Sequence, residues 1–354
     1  MSSLLLHLRP ENSLIQEQIL SLLGAAERPA TQDTRLGDFD GAFWRVELVE
    51  SAPTQILVCL EVPCFAQLKA CVRRVRARAA PPSAAPSSLI PSALPLPPCL
   101  RSLGVEAHLQ AKYGALLTAP RAGASVSLCI DAAALPAGGA AEAALRAAQL
   151  RAHVTAFPFL RAMAAVAAGR GLAEPPLTLL ARPREPVFVL TRADRVLVIY
   201  HLDVAEPTDR AIARVVAQEL TEAYRAVNSA PPVAWSEREP PMELKGFPGL
   251  DAAPSEASIG FVTFTIFPAS YKTDAQREAV AAQLALFRSF LQYHLKAAKT
   301  YLHARMRSRA EGLQKVLNRA VPDDPFADAG KKLASGRTFV KGGGAGATGA
   351  GGGR

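Results

Sequence analysis

The sequence predicts an α+β fold: two similar units with antiparallel sheets flanked by helices, followed by one long C-terminal α-helix. Three observations carry this. Strand-like runs occur in groups with short connections, which favours antiparallel pairing over helical crossovers. The order helix, strands, helix, strand occurs twice. From Thr273 to Arg319 there is no Pro and a single Gly, Gly312, and Pro322 and Pro325 follow. A chain of 354 residues has material for two ordinary domains. The expected boundaries are 1–135, 136–270, the helix at 273–320 and a basic, then Gly-rich, tail at 321–354.

The first unit opens on Ser13–Leu23, apolar at helical spacing, with Ser13 as a candidate cap. Strands are expected near Arg35–Phe39, at Ala42–Glu50 and at Gln55–Val62. Trp44, Val46 and Leu48 alternate with Phe43, Arg45 and Glu47, the pattern of a sheet with one buried face. Pro63 suits the first turn of a helix, CFAQLKACVRRVRARA. Residues 79–98 hold seven Pro and no charge, so they read as a loop or disordered insertion. A helix near Val105–Leu117 and a strand at Ser125–Asp131 complete the unit.

The second unit runs in the same order: a helical stretch at Ala140–Ala168, strands at Leu177–Arg182, Val187–Arg192 and Arg195–Leu202, a helix opened by Pro207, and a strand at Ile259–Phe267. Thr273 and Gln276 then form a capping box for the last helix. At about 1.5 Å per residue that helix spans about 70 Å, so it must project or pack along something else.

Composition excludes several classes. The five Cys (Cys59, Cys64, Cys71, Cys99 and Cys129) form an odd set without a CxxC pair, against a disulfide framework or zinc site and in favour of reduced thiols. MSSLLLHLRP is too short in apolar residues for a signal peptide, and no run of about 20 apolar residues exists to span a membrane. No Walker loop, GxSxG or HExxH motif occurs. GAGATG (Gly344–Gly349) matches a dinucleotide motif in letters only, since no strand precedes it and no helix follows. The six His are scattered, and His294 and His303 fall on different faces of one helix. DFDG (Asp38–Gly41) reads as a turn before a strand, and WSEREPPMEL (Trp235–Leu244) as an extended structural or contact strap. No catalytic constellation, cofactor site or metal site emerges, so an enzyme is not expected.

The charge is uneven. The chain carries +9, and Ser270–Val340, with 13 Lys or Arg against six Asp or Glu, accounts for +7 of it. A localised basic end implies an acidic partner. On the last helix, Leu291, Leu295, Ala298, Leu302, Met306, Leu313 and Val316 fall within an arc about 80° wide at about 100° per residue, with Arg309 inside it. Arg305 lies beside the arc; either Arg is costly against the chain's own apolar surface, but a partner helix could offer it an acid. A membrane-surface helix calls for large apolar residues facing lipid, and a nucleic-acid reader for cations on one groove-facing side. The seam contains Ala and Arg, and the cations are spread around the helix. A protein partner for the seam and an acidic surface for Lys315 and Arg319 near the tip fit best. A basic adaptor binding anionic lipid or RNA is the alternative.

Several segments resemble the actin-related protein 2/3 complex subunit 2 family: DFDG, SVSLCIDAAALP, SEREPPMEL, IGFVTFTIFP, GRTF within KKLASGRTF, and above all FRSFLQYHLKAAKTYLHARMRSRAEGLQKVLNRAVPD. Similarity is strong from Ala234 to Phe339 and patchy before it, while the Pro-rich insertion, Phe247–Ser255 and the Gly tail depart from the pattern. The resemblance implies two similar α/β sandwich domains and a long helix packed antiparallel on a helix of subunit 4. It implies a non-enzymatic scaffold that needs no cofactor, contacts the side of a mother actin filament, and works with the actin-related subunits in nucleating branched filaments. The filament contacts it implies are Lys315, Arg319, Lys331, Lys332 and Arg337. The implied location is the cytoplasm, at the actin cytoskeleton of the cortex or cell projections, with no nucleic-acid partner.

Overall fold

Alternating side chains along Phe43–Val49 build the first sheet as expected. Trp44, Val46 and Leu48 are buried, while Phe43 faces solvent. The computed structural model describes residues 9–25, 32–38, 41–49, 52–69, 104–136, 138–174, 176–182, 184–227, 230–245 and 256–320. The chain divides into two compact units, Met1–Ala298 and Lys299–Arg354.

In the first unit, α1 (Ser13–Gly24) precedes β1 (Asp33–Gly37), β2 (Phe43–Val49) and β3 (Ala52–Glu61). Then come α2 (Phe65–Lys69), α3 (Val105–Tyr113), β4 (Leu117–Thr118) and β5 (Val126–Asp131). The same unit continues with α4 (Ala140–Ala148), α5 (Leu150–Ala167), β6 (Leu177–Arg182), β7 (Glu185–Thr191), β8 (Val196–Asp203), α6 (Pro207–Ala226), β9 (Val233–Ser236) and β10 (Ser258–Ile266). The last helix, α7, is Asp274–Ala320.

Each sheet has five strands, in the orders β1-β2-β3-β5-β4 and β6-β7-β8-β10-β9, and every pairing is antiparallel. The two orders are the same. In both, three strands form a meander, and the fifth strand of the set inserts between the third and fourth. The inner faces share one core, in which Trp44, Ile56 and Leu128 join Val198, Tyr200 and Val262. Burying this apolar area is the main force holding the unit together.

Several local expectations change. Asn12, not Ser13, caps α1: its Oδ1 accepts from the Ile15 amide at 3.3 Å. The stretch at 140–168 is two helices meeting at Gln149, and Pro158 is accommodated within α5. Of the helix expected after Pro63, α2 is described; the rest, with Cys71, the 79–98 insertion and Cys99, lies outside the described residues. At the two described ends of DFDG, the Asp38 carbonyl accepts from the Gly41 amide at 3.1 Å, and the Asp38 carboxylate pairs with buried Arg151 at 3.3 Å.

The SEREPPMEL strap covers the outer face of the second sheet. Pro241 holds extended backbone (φ −52°, ψ 150°), and Leu244 is buried with Phe188, Leu190, Leu197, Ile199 and Phe261. Glu237, one of its acids, pairs with Arg214 at 3.2 Å. The outer face of the first sheet carries a charged cluster instead. Glu47 is buried there between the guanidinium groups of Arg45 and Arg121.

Where α3 and α5 meet, the Tyr113 hydroxyl lies 2.7 Å from His153 Nδ1 and donates to the Arg146 carbonyl. Lys112 reaches from α3 to Glu278 on α7 at 2.7 Å. Burial pushes His153 down to about 4, helped by the positive charge of Lys112 and Arg146 and by any proton on His108, and opposed by Glu278. Burial likewise lowers His108. Unfolded His takes up a proton below about pH 6.5, whereas folded His153 does so only near 4. Stability is therefore lost as pH falls through that window, by on the order of 2–3 kcal/mol for His153. Denaturant midpoints at pH 7 and pH 4.5 should converge in His153→Gln relative to the parent chain. An unchanged difference would remove His153 from the acid sensitivity.

Candidate functional site: the C-terminal helix

The expected capping box forms at the start of α7. The Gln276 amide donates to Thr273 Oγ1 at 3.2 Å, and the Thr273 amide donates to Gln276 Oε1 at 3.1 Å. Asp274 in the first turn suits the positive end of the helix dipole. Ala281, Leu284, Phe287, Leu291 and Leu295 then recur every three or four residues and are buried in the main core. The Tyr200 hydroxyl donates to the Leu284 carbonyl at 2.6 Å, and the Phe287 ring packs on Tyr200 and Phe264. Arg288 makes a two-point ion pair with Glu185 at 2.8 and 2.6 Å, and Lys296 reaches Asp209 at 3.2 Å.

This corrects the seam at its start. Leu291 and Leu295 had been expected to face a partner helix; they are 2% and 1% exposed within the chain's own core. The same apolar spacing runs on past the buried residues, because a helix stripe keeps one period whether its residues are buried or exposed. Ala298 is half-buried.

In the second unit, every described side chain from Thr300 to Arg319 is exposed. Leu302, Met306, Leu313 and Val316 are 42%, 64%, 61% and 61% exposed. Leu317 is exposed as well, and at about 60° from Leu302 it widens the apolar arc beyond the residues the spacing predicts. Arg309 lies within the arc, and Lys315 and Arg319 occupy another sector near the end. The Arg305 guanidinium sits over the Tyr301 ring, 5.6 Å from its centre. Lys331, Lys332, Arg337 and the GAGATG tail lie outside the described residues. A contiguous exposed apolar arc on a helix marks an interaction surface. Among the described residues, no helix is long and apolar enough to cross a membrane, and no group of three or more His, Cys, Asp or Glu is placed to hold a metal ion.

Residues 95–324 match the family model described as Arp2/3 complex, 34 kD subunit p34-Arc. The chain belongs to the p34-Arc family. The matched range takes in the second sheet and all of α7, including Lys315 and Arg319, and ends before Lys331. Among p34-Arc relatives, the actin-related protein 2/3 complex subunit 2 of Schizosaccharomyces pombe is 30% identical over 350 residues, 93% of this chain and 98% of that protein. The subunit 2 protein of Dictyostelium discoideum is 33% identical over 221 residues, 62% of this chain and 73% of its own. The yeast alignment carries the likeness through the first sheet, ahead of residue 95, so the p34-Arc relationship spans both sheets.

Proposed function

We propose that this chain is a non-enzymatic scaffold subunit of an Arp2/3 complex, working in the cytoplasm at the actin cytoskeleton. In this reading residues 1–135 and 136–270 act as paired domains that carry α7. The apolar arc from Ala298 to Val316, widened by Leu317, packs on a helix of subunit 4. The cations Lys315 and Arg319, with Lys331, Lys332 and Arg337 beyond them, contact the side of the mother actin filament while the actin-related subunits start a branch.

One observation carries the reading: twenty consecutive residues of α7, Thr300–Arg319, expose an apolar arc and a separate cationic sector at once. Membership of a family described as a subunit of the Arp2/3 complex supplies the class of partner. Cations at the helix end complement an acidic filament surface, where charge steers encounter and sets specificity.

The test uses assembled complex. Lys315→Glu, Arg319→Glu and Lys331→Glu together should weaken co-sedimentation with actin filaments by roughly tenfold or more and reduce branching, with the complex intact. Leu302→Asp should abolish pairing with subunit 4. Unchanged branching in the triple variant would refute the filament assignment. Co-sedimentation with anionic vesicles, but not with filaments, would favour the basic-adaptor alternative.

A further inference from the structure

We infer that Arg309 pairs with a carboxylate on the partner helix, and that this ion pair sets the register of the two helices and the choice of partner. The inference rests on the helix-pairing reading above and adds the chemistry the partner must present.

Arg309 sits about 20° from Leu302 around the helix, three residues after Met306 and four before Leu313. It stands in the middle of the apolar arc. Its side chain is exposed, and among the described residues its guanidinium has no ion-pair or hydrogen-bond partner. Glu311, the one acid between Thr300 and Arg319, is two residues away and so faces another side. Arg305 differs, because its guanidinium already rests on Tyr301 and lies 3.4 Å from that hydroxyl.

A helix that covers Leu302, Met306, Leu313 and Val316 must also take Arg309 out of water. Its alkyl stem can lie along the apolar surface, but the planar guanidinium then needs an acceptor or pays for lost hydration. A carboxylate answers it best, since two parallel N–H···O bonds match the fork of the guanidinium. Charge points the same way: Thr300–Arg319 holds five Lys or Arg against Glu311 alone, so an acidic helix complements it. A single charge in an apolar seam adds little stability. It penalises any alignment that leaves the charge unpaired, and so selects register and partner.

The test is made on complex assembled from co-expressed subunits with the full chain. Arg309→Glu should reduce co-purified partner at least tenfold, and Arg309→Lys less than about threefold, because Lys keeps the charge without the fork. Changing the acids of the partner helix to Arg one at a time should restore pairing with Arg309→Glu at one position. If Arg309→Glu assembles like the parent, or no single reversal restores it while Leu302→Asp still blocks assembly, the ion pair is wrong and helix pairing stands. If Leu302→Asp also assembles normally, the pairing reading itself falls. Arg309 is exposed in the free chain, so an unchanged circular-dichroism spectrum separates lost pairing from lost folding.

Discussion

Gly260→Ala is expected to lower stability by on the order of 3 kcal/mol and to loosen the strap after β9. Gly260 has φ +104°, a region that side chains other than Gly rarely adopt. A methyl group there would lie 2.1 Å from the Ser236 carbonyl oxygen and 2.7 Å from Glu237 Cα. The neighbours are backbone and cannot rotate away. The register of β10 on β8 shifts between Ser258 and Gly260, and Ser258 Oγ accepts from the Gly260 amide at 3.1 Å, which holds the bulge. To admit the methyl, β9 must move off β10, and the strap moves with it. Leu244 then leaves Phe188, Ile199 and Phe261, and the outer face of the second sheet meets water. Denaturant midpoints and protease cleavage within residues 237–245 both read this change. A variant that matches the parent on both measures would mean the close approach is not needed.

Glu185→Ala should cost about 3–5 kcal/mol, because it strands a cation rather than removing a contact. The Glu185 carboxylate holds Arg288 at two points, lies 3.9 Å from Arg182 and accepts from the Asp203 amide at 3.3 Å. Glu185 is 6% exposed, and the pair lines a cavity of about 70 Å³ with Val62, Phe159 and Leu284. Without the carboxylate, among the described residues Arg288 keeps only its 3.0 Å bond to Gln292 and shares the cavity with the Arg182 cation. Replacing both partners, Glu185→Leu with Arg288→Leu, should recover most of the loss, since two apolar groups leave no charge unpaired. Denaturant unfolding of the two single variants and the double variant measures this. A double variant as weak as Glu185→Ala would argue that packing, not the unpaired charge, sets the cost.

Much of the fold was legible because its elements are long relative to their periods. Trp44, Val46 and Leu48 revealed a half-buried strand, and Thr273 with Gln276 marked the start of α7. The two shortest strands were not legible. Leu117–Thr118 has two residues and Val233–Ser236 has four, too few to establish a period. Both are edge strands, held by pairing with β5 and β10 rather than by their own pattern. The break at Gln149 was hidden because the apolar run continues through it into α5.

The candidate site was legible in part for the same reason. Spacing alone placed Leu291 through Val316 on one arc and set Arg309 within it. It could not place Leu291 and Leu295 in the chain's own core, because a helix stripe has the same period against either surface. Glu185 and Asp209, which hold Arg288 and Lys296, come from strands and helices far away in the sequence. No local pattern announces such a pair.

Local chemistry by itself therefore determined where α7 starts, which residues share its apolar side, and where positive charge accumulates. These properties depend on residues within a few turns of each other. Only the tertiary structure decided where that side stops being buried, between Leu295 and Leu302. Up to Leu295, the sheets and α7 supply a surface that removes apolar area from water. From Thr300 to Arg319 the described side chains are exposed, the remaining leucines and Arg309 among them.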